Sequence, residues 1–159
     1  MKLLLVGPGR CGKDTAGEFL ARHTNLKFAG TTSKFLTKYV AQELKVDEKK
    51  AYEERHANRM TWYTIGNQIR ESDPGRLIKE ALEEGDITGG IRDRAEIEWA
   101  HHSDLIDLII WIENPSCELD PTLTFTKDWA DILILNDGDI KMYYRRLWNL
   151  AKSLGILKG

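Results

Sequence analysis

The chain begins "MKLLLVGPGRCGKDTAGEFLARH", and this stretch limits the possible folds more than any other. "KLLLV" is a continuous apolar run with no alternation, the pattern of a strand buried on both faces of a parallel sheet, and glycines end it. Beyond them Ala16, Phe19, Leu20 and His23 recur at helical spacing. Strand, glycine-rich turn and helix therefore follow one another directly. The turn has Gly7, Gly12 and Lys13 at the spacing of a loop whose backbone N–H groups cradle phosphates at a helix N-terminus. Gly7, Gly9 and Gly12 let the backbone approach a ligand where a Cβ would intrude, and Lys13 adds a mobile positive charge.

The remainder alternates in the same way. "LKFA" reads as a second strand, followed by a helix from about Ser33 to Leu44 whose apolar stripe is Phe35, Leu36, Tyr39, Val40 and Leu44. "VDEKKAYEERHANR" reads as a solvated helix, and "MTWYTIGNQIRE" places Trp62, Ile65 and Ile69 on one helical face. In "SDPGRLIKEALEEGD", Asp73 is the expected N-cap, Pro74 the first helical residue and Gly85 the stop. "ITGGIR", "DLIIWIEN" and "DILILND" supply three more strands, and Ile140, Tyr143, Leu147, Leu150 and Leu154 mark a final amphipathic helix. The expected fold is α/β: a three-layer sandwich of the P-loop NTPase kind, with a parallel sheet of about five strands and helices on both faces.

With 159 residues, 42% of them apolar, the chain is long enough for one core, so a single domain over 1–159 is expected. Its 23 Lys and Arg balance 25 Asp and Glu, which is not the footprint of a nucleic-acid-binding surface. The runs "LLLV" and "LIIWI" fall far short of the roughly 20 residues a membrane helix needs, and no signal segment is evident. Cys11 and Cys117 form neither a disulfide framework nor a zinc pattern. These features lead us to expect a soluble, cytoplasmic protein that engages neither membranes nor nucleic acid. Nothing in the sequence marks an oligomer interface.

The loop departs from the usual pattern in one respect: Asp14 follows Lys13, and the hydroxyl of Thr15 arrives one residue late. A carboxylate near polyphosphate suits a site where Mg²⁺ lies between them, since that ion keeps several waters and takes one or two carboxylates. Thr15, a further hundred degrees or so round the helix, then faces an inner phosphate. The plainer alternative is a first-turn charge favoured by the helix dipole. Cys11 likewise has two readings, a thiol tuned by the helix N-terminus or a small residue filling the loop.

"GPGRCGKDT", with Arg10 ahead of the loop's small residue, resembles the phosphate loop of bacteriophage-type deoxynucleoside monophosphate kinases. Phosphomevalonate kinases share the Gly-Lys-Asp run, and adenylate kinases also place their Thr one residue late. The likeness extends through "GNQIRESDPGRLIKEAL", "GGIRDRAEIE" and "ADILILNDG", in the order such kinases carry similar segments. It implies ATP and Mg²⁺ as cofactors, a (deoxy)nucleoside monophosphate as acceptor, and direct in-line phosphoryl transfer. For a phage-encoded chain the compartment is the host cytoplasm. Nucleotide contacts then fall to Gly7, Gly9, Cys11, Gly12, Lys13, Asp14, Thr15 and Asn136, with Asp14 on the metal. Such enzymes commonly end the third strand in Asp-x-Arg; here the positions read Gly90, Ile91 and Arg92, so the Arg is kept and the Asp is absent.

An acceptor phosphate is largely ionised at neutral pH, its second pKa being about 6. The chemistry therefore needs alignment and charge neutralisation more than a base. Lys13, Arg92 and Arg10 are the expected catalytic residues. Lys34, Trp62, Asn67, Arg70, Arg92 and Arg94 are the expected acceptor contacts, drawn mainly from an insertion at about residues 31–84. Residues 114–128 are the expected lid, reduced because Lys127 is its only cation. Two rival readings use the same residues: a P-loop kinase of another small phosphorylated metabolite, and a catalytically silent nucleotide-binding regulator.

Overall fold

The apolar runs become five parallel strands hydrogen-bonded in the order β2-β3-β1-β4-β5. These are β1 (Leu3–Val6), β2 (Phe28–Thr31), β3 (Ile87–Gly89), β4 (Leu108–Glu113) and β5 (Ile132–Leu135). The helices are α1 (Lys13–His23), α2 (Thr32–Leu44), α3 (Glu48–Glu53), α4 (Arg59–Ser72), α5 (Arg76–Glu84), α6 (Arg94–His102) and α7 (Ile140–Ser153). The computed structural model describes residues 1–159.

Strand β1 lies at the centre, with Leu3 opposite Ile87 of β3 on one side and Leu108 of β4 on the other. Its side chains alternate across the sheet. Leu3 and Leu5 join Phe19, Leu20, Tyr143 and Leu147 in the core beneath α1 and α7. Leu4 and Val6 pack on the opposite face with Ile78, Ile97, Trp111 and Phe125. Both faces of β1 are covered, which is why its sequence never alternates.

Helices α2 to α5 gather around a third cluster that includes Phe35, Val40, Ala51, Ile69 and Leu77. Helix α5 belongs to two cores at once. Leu77 and Ala81 face the helical cluster, while Ile78 and Leu82 face the sheet. Its apolar residues thus occupy more than one stripe, and it fixes the helical layer to the strands.

Three details differ from the sequence expectation. The second strand runs from Phe28 to Thr31 rather than over "LKFA". The charged segment before α4 is not one helix: α3 stops at Glu53, and tighter turns follow, with Arg55 N–H donating to Tyr52 C=O and Ala57 N–H to Glu54 C=O. Helix α5 starts at Arg76 with Gly75 as its N-cap. Asp73 instead accepts from Gly75 N–H at 3.3 Å and pairs with Lys79 at 3.1 Å, so a local turn and an ion pair take the carboxylate expected to cap the helix. No helix is long and apolar enough to cross a membrane.

The strand order reverses at β1. From β1 the chain moves outward to β2, returns through β3, and then crosses to β4 on the other side. Loops leaving the carboxyl ends of β1 and β3 therefore diverge, and the crevice between them is where open α/β sheets bind ligands.

Candidate active site

The Gly-rich loop lies at that crevice. Gly7 has φ +142°, and a Cβ on it would meet the Ile112 carbonyl oxygen at 2.6 Å. Gly12 has φ +103°, and a Cβ there would meet Asn136 Nδ2 at 2.7 Å. Both positions require glycine, for backbone conformation as well as for space. Helix α1 starts at Lys13 with no side-chain cap, so the N–H groups of its first turn remain available to an anion.

Lys13 Nζ donates to the carbonyls of Gly7 at 2.8 Å and Pro8 at 2.7 Å, arching over the loop. Burial holds its ammonium below the ordinary lysine range, and the nearby Arg92 adds to that effect. Cys11 is fully buried in the core beneath the loop, and burial pushes its thiol up. The side chain thus acts as a small packing residue and not as an activated thiol.

Three distant groups hold the loop from behind. Asn136, just after β5, donates from Nδ2 to Cys11 C=O at 3.0 Å. The Tyr143 hydroxyl of α7 donates to Gly12 C=O at 2.7 Å, and Cys117 Sγ donates to Arg10 C=O at 3.3 Å. Tyr143 was legible only as one apolar position on the last helix; its hydroxyl also satisfies a loop carbonyl. Replacing Tyr143 with Phe removes that bond and little else. The expected result is a loss of about 1 kcal/mol of stability, read as a lower urea midpoint; an unchanged midpoint would mean the bond adds nothing.

The facing wall comes from the end of β3, where Gly90 and Arg92 look across at Arg10, Lys13, Asp14 and Thr15. Thr31 and Ser33, at the junction of β2 and α2, close the floor of a cleft of about 410 Å³ with no hydrophobic lining residue. That volume suits the polar part of one small ligand. The Arg92 backbone is fixed by Glu96, whose Oε1 accepts from the N–H groups of Arg92 at 3.4 Å and Asp93 at 3.3 Å. Glu96 is 1% exposed, and Arg70 Nε of α4 lies 3.1 Å from the same oxygen. The Nε–H is not aimed at the carboxylate, so this contact is Coulombic. Burial raises the Glu96 carboxyl above its usual range, with Arg70 pulling against it.

The segment after β4 is only partly free to act as a cover. Its second half is tied down, since Thr124 N–H donates to Arg92 C=O at 2.8 Å and Phe125 is buried against the sheet. Its first half crosses the mouth of the loop. There Asp120 Oδ2 accepts from Gly9 N–H at 3.2 Å and from the Arg92 guanidinium. Its other oxygen accepts from the Thr122 N–H at 3.0 Å and hydroxyl at 2.6 Å. Burial alone would raise the Asp120 carboxyl; Thr122 and Arg92 outweigh it and hold the group below its usual range.

The structure divides the expected acceptor residues. Arg92 lines the cleft, and Lys34 lines an adjoining hollow with Asp14, Thr31, Lys49 and Tyr52. Arg70 faces Glu96 and also donates to Asn67 Oδ1 at 3.1 Å, so these two side chains are engaged with each other and with α6. Arg94 pairs with Glu98 at 2.7 Å on the surface. Trp62 packs on the helical cluster, its ring edge-on to Tyr52 at 6.4 Å. Sequence reasoning missed Thr31 and Ser33 on the cleft, and in an outer hollow shared with Arg10 and Arg92 it missed the pair Asp120 and Arg59. Neither of that pair carries a local signal, since both reach the loop only through the tertiary fold.

No protein-family model matches the chain, and no curated protein matches it. Among solved structures it is similar to a shikimate kinase from Bacteroides thetaiotaomicron, with a TM-score of 0.53 and 16% identity, over 98% of this chain and 99% of that one. The likeness extends over practically the whole of both chains, and together with the parallel five-stranded sheet it establishes the fold of a P-loop kinase.

Proposed function

We propose that the protein transfers the terminal phosphoryl group of ATP to a small anionic acceptor, a (deoxy)nucleoside monophosphate. One observation carries this reading: the uncapped N-terminus of α1 and Lys13 face Arg92 across a polar cleft at the switch point of the sheet. A phosphate cradle on one wall and a guanidinium on the other are what in-line transfer between two anions requires. A site that only bound a nucleotide would not need Arg92.

The residues present fit the cofactors. Backbone N–H groups from Gly9 to Thr15 and the Lys13 ammonium hold the phosphates. Asp14, exposed in the first turn of α1 and lining the cleft, offers the carboxylate that a largely hydrated, phosphate-bound Mg²⁺ accepts. Mg-ATP supplies the phosphoryl group and neutralises part of its charge. Lys13 then follows the terminal phosphate, Arg10 and Arg92 draw the acceptor's anion into line, and no side-chain base is required.

The similarity to loops of phage-type deoxynucleotide kinases supports a deoxynucleotide acceptor. The solved neighbour supports a second reading, a kinase of a small metabolite, because that protein is a shikimate kinase. ADP formation from Mg-ATP decides between them when the deoxy- and ribonucleoside monophosphates and shikimate are offered singly against a no-acceptor blank. Stimulation by one or a few monophosphates is expected. Stimulation by shikimate alone moves the assignment to the second reading, and flat rates with ATP still bound move it to a kinase of another small metabolite or to a catalytically silent nucleotide binder.

A further inference from the structure

Resting on the phosphoryl-transfer reading, we infer that Asp120 is an internal stand-in for a phosphoryl oxyanion, so that its carboxylate and a ligand phosphate exclude one another at the mouth of the loop. The donors that hold Asp120 are those a phosphate uses. Gly9 N–H belongs to the cradle itself, and the guanidinium of Arg92 is the cation on the opposite wall. A carboxylate oxygen shared between a backbone N–H and an arginine reproduces how phosphate oxygens are held. Arg10 and Arg59 add positive charge on the outer side, where Glu118 is the one other acid beside Asp120, and the Asp120 side chain is only 13% exposed among them.

The chain on either side is arranged for exchange. Asp120 lies on the short span between the end of β4 at Glu113 and the fixed point at Thr124. Within that span the contacts to the loop are Asp120 itself and the Cys117 Sγ bond to Arg10 C=O. Thr122 holds the second carboxylate oxygen from within the same span and also accepts from the Arg92 guanidinium at 3.2 Å, so the outward swing breaks that bond as well. A phosphate arriving at Gly9 and Arg92 meets a like charge on its own donors, and repulsion at that distance turns the span outward. The segment thus reports on the site: it lies inward while Asp120 holds the donors and swings outward once phosphate takes them. It needs no arginine of its own to do so.

The test compares binding by calorimetry in wild type, Asp120→Asn and Asp104→Asn, the last a control on an exposed loop away from the cleft. Three probes are used singly: inorganic tripolyphosphate, ATP without acceptor, and dAMP without ATP. Asp120→Asn keeps the shape and removes the charge. We expect about fivefold tighter binding of the probe whose phosphate shares the site, the scale of one partly exposed charge interaction, and no change with Asp104→Asn. A gain with tripolyphosphate and ATP identifies the displaced position as that of the terminal phosphate; a gain with dAMP identifies it as the acceptor's. Thr122→Ala, which loosens the same carboxylate without altering charge, should move affinity in the same direction by a smaller factor.

Equal affinities with every probe overturn the inference and leave phosphoryl transfer standing. Weaker binding by Asp120→Asn also overturns it and makes Asp120 a group that holds ligand. Tighter binding in a protein that transfers phosphate to no acceptor keeps the stand-in and removes the proposed reaction. Absence of binding by all three proteins removes both.

Discussion

Lys13→Ala is expected to lower phosphoryl transfer by about three orders of magnitude, the scale of losing one preorganised charge at a developing transition state. Lys13 is the only ammonium lining the cleft. Its Nζ is held by the Gly7 and Pro8 carbonyls beside the uncapped start of α1, within the cradle where negative charge builds on the transferring group. Partial burial strengthens that interaction. The fold should tolerate the change, because Lys13 lines a polar cleft and belongs to none of the three hydrophobic clusters. Steady-state ADP formation with the best acceptor reads the effect, and a thermal melt checks the fold. Activity within tenfold of wild type in a folded variant would remove Lys13 from the chemistry.

Arg92→Ala should act on the acceptor instead. Its backbone is fixed just past β3 by Glu96 and Thr124, so the guanidinium is positioned for an incoming anion that takes the place of the Asp120 carboxylate. The expected loss is about two orders of magnitude in kcat/KM for the acceptor, with the Kd of ATP changed by less than about threefold. Arg92→Lys keeps the charge without the planar fork and should recover only part of the loss. Weaker ATP binding with an unchanged acceptor KM would place Arg92 on the donor side and overturn the present assignment of the two walls.

The sequence disclosed most where the relevant residues are consecutive. Strand β1, the Gly-rich loop and α1 are local, and their order dictates the cradle; Gly7, Gly12 and Lys13 lie where that order puts them. The parallel sheet followed from apolar runs that do not alternate. The facing wall was legible through Arg92, because it lies just beyond an apolar run read as a strand, although that strand stops at Gly89. Other cations were a matter of residue type alone, and type does not reveal a partner. Arg70 meets the buried carboxylate of Glu96 across two helices, and Arg94 meets Glu98 one helical turn away. Asp120 was hidden for the opposite reason. An isolated acid in an irregular stretch carries no periodicity, and its nearness to Gly9 arises only because β4 lies directly beside β1.

The central place of β1 also bears on how the chain comes to be folded. Its first strand has no partner near it in sequence: one neighbour is at residues 87–89 and the other at 108–111. The strand and the glycine-rich turn after it precede both of these partners in the chain, so neither side of β1 is paired until residues far along the sequence have joined the sheet. Pairings of such long range slow the search for the native state and leave an apolar segment open to other chains meanwhile. The glycine-rich loop, whose Cys11 and Gly12 carbonyls are held by Asn136 and Tyr143, therefore completes its packing only after those distant segments are in place.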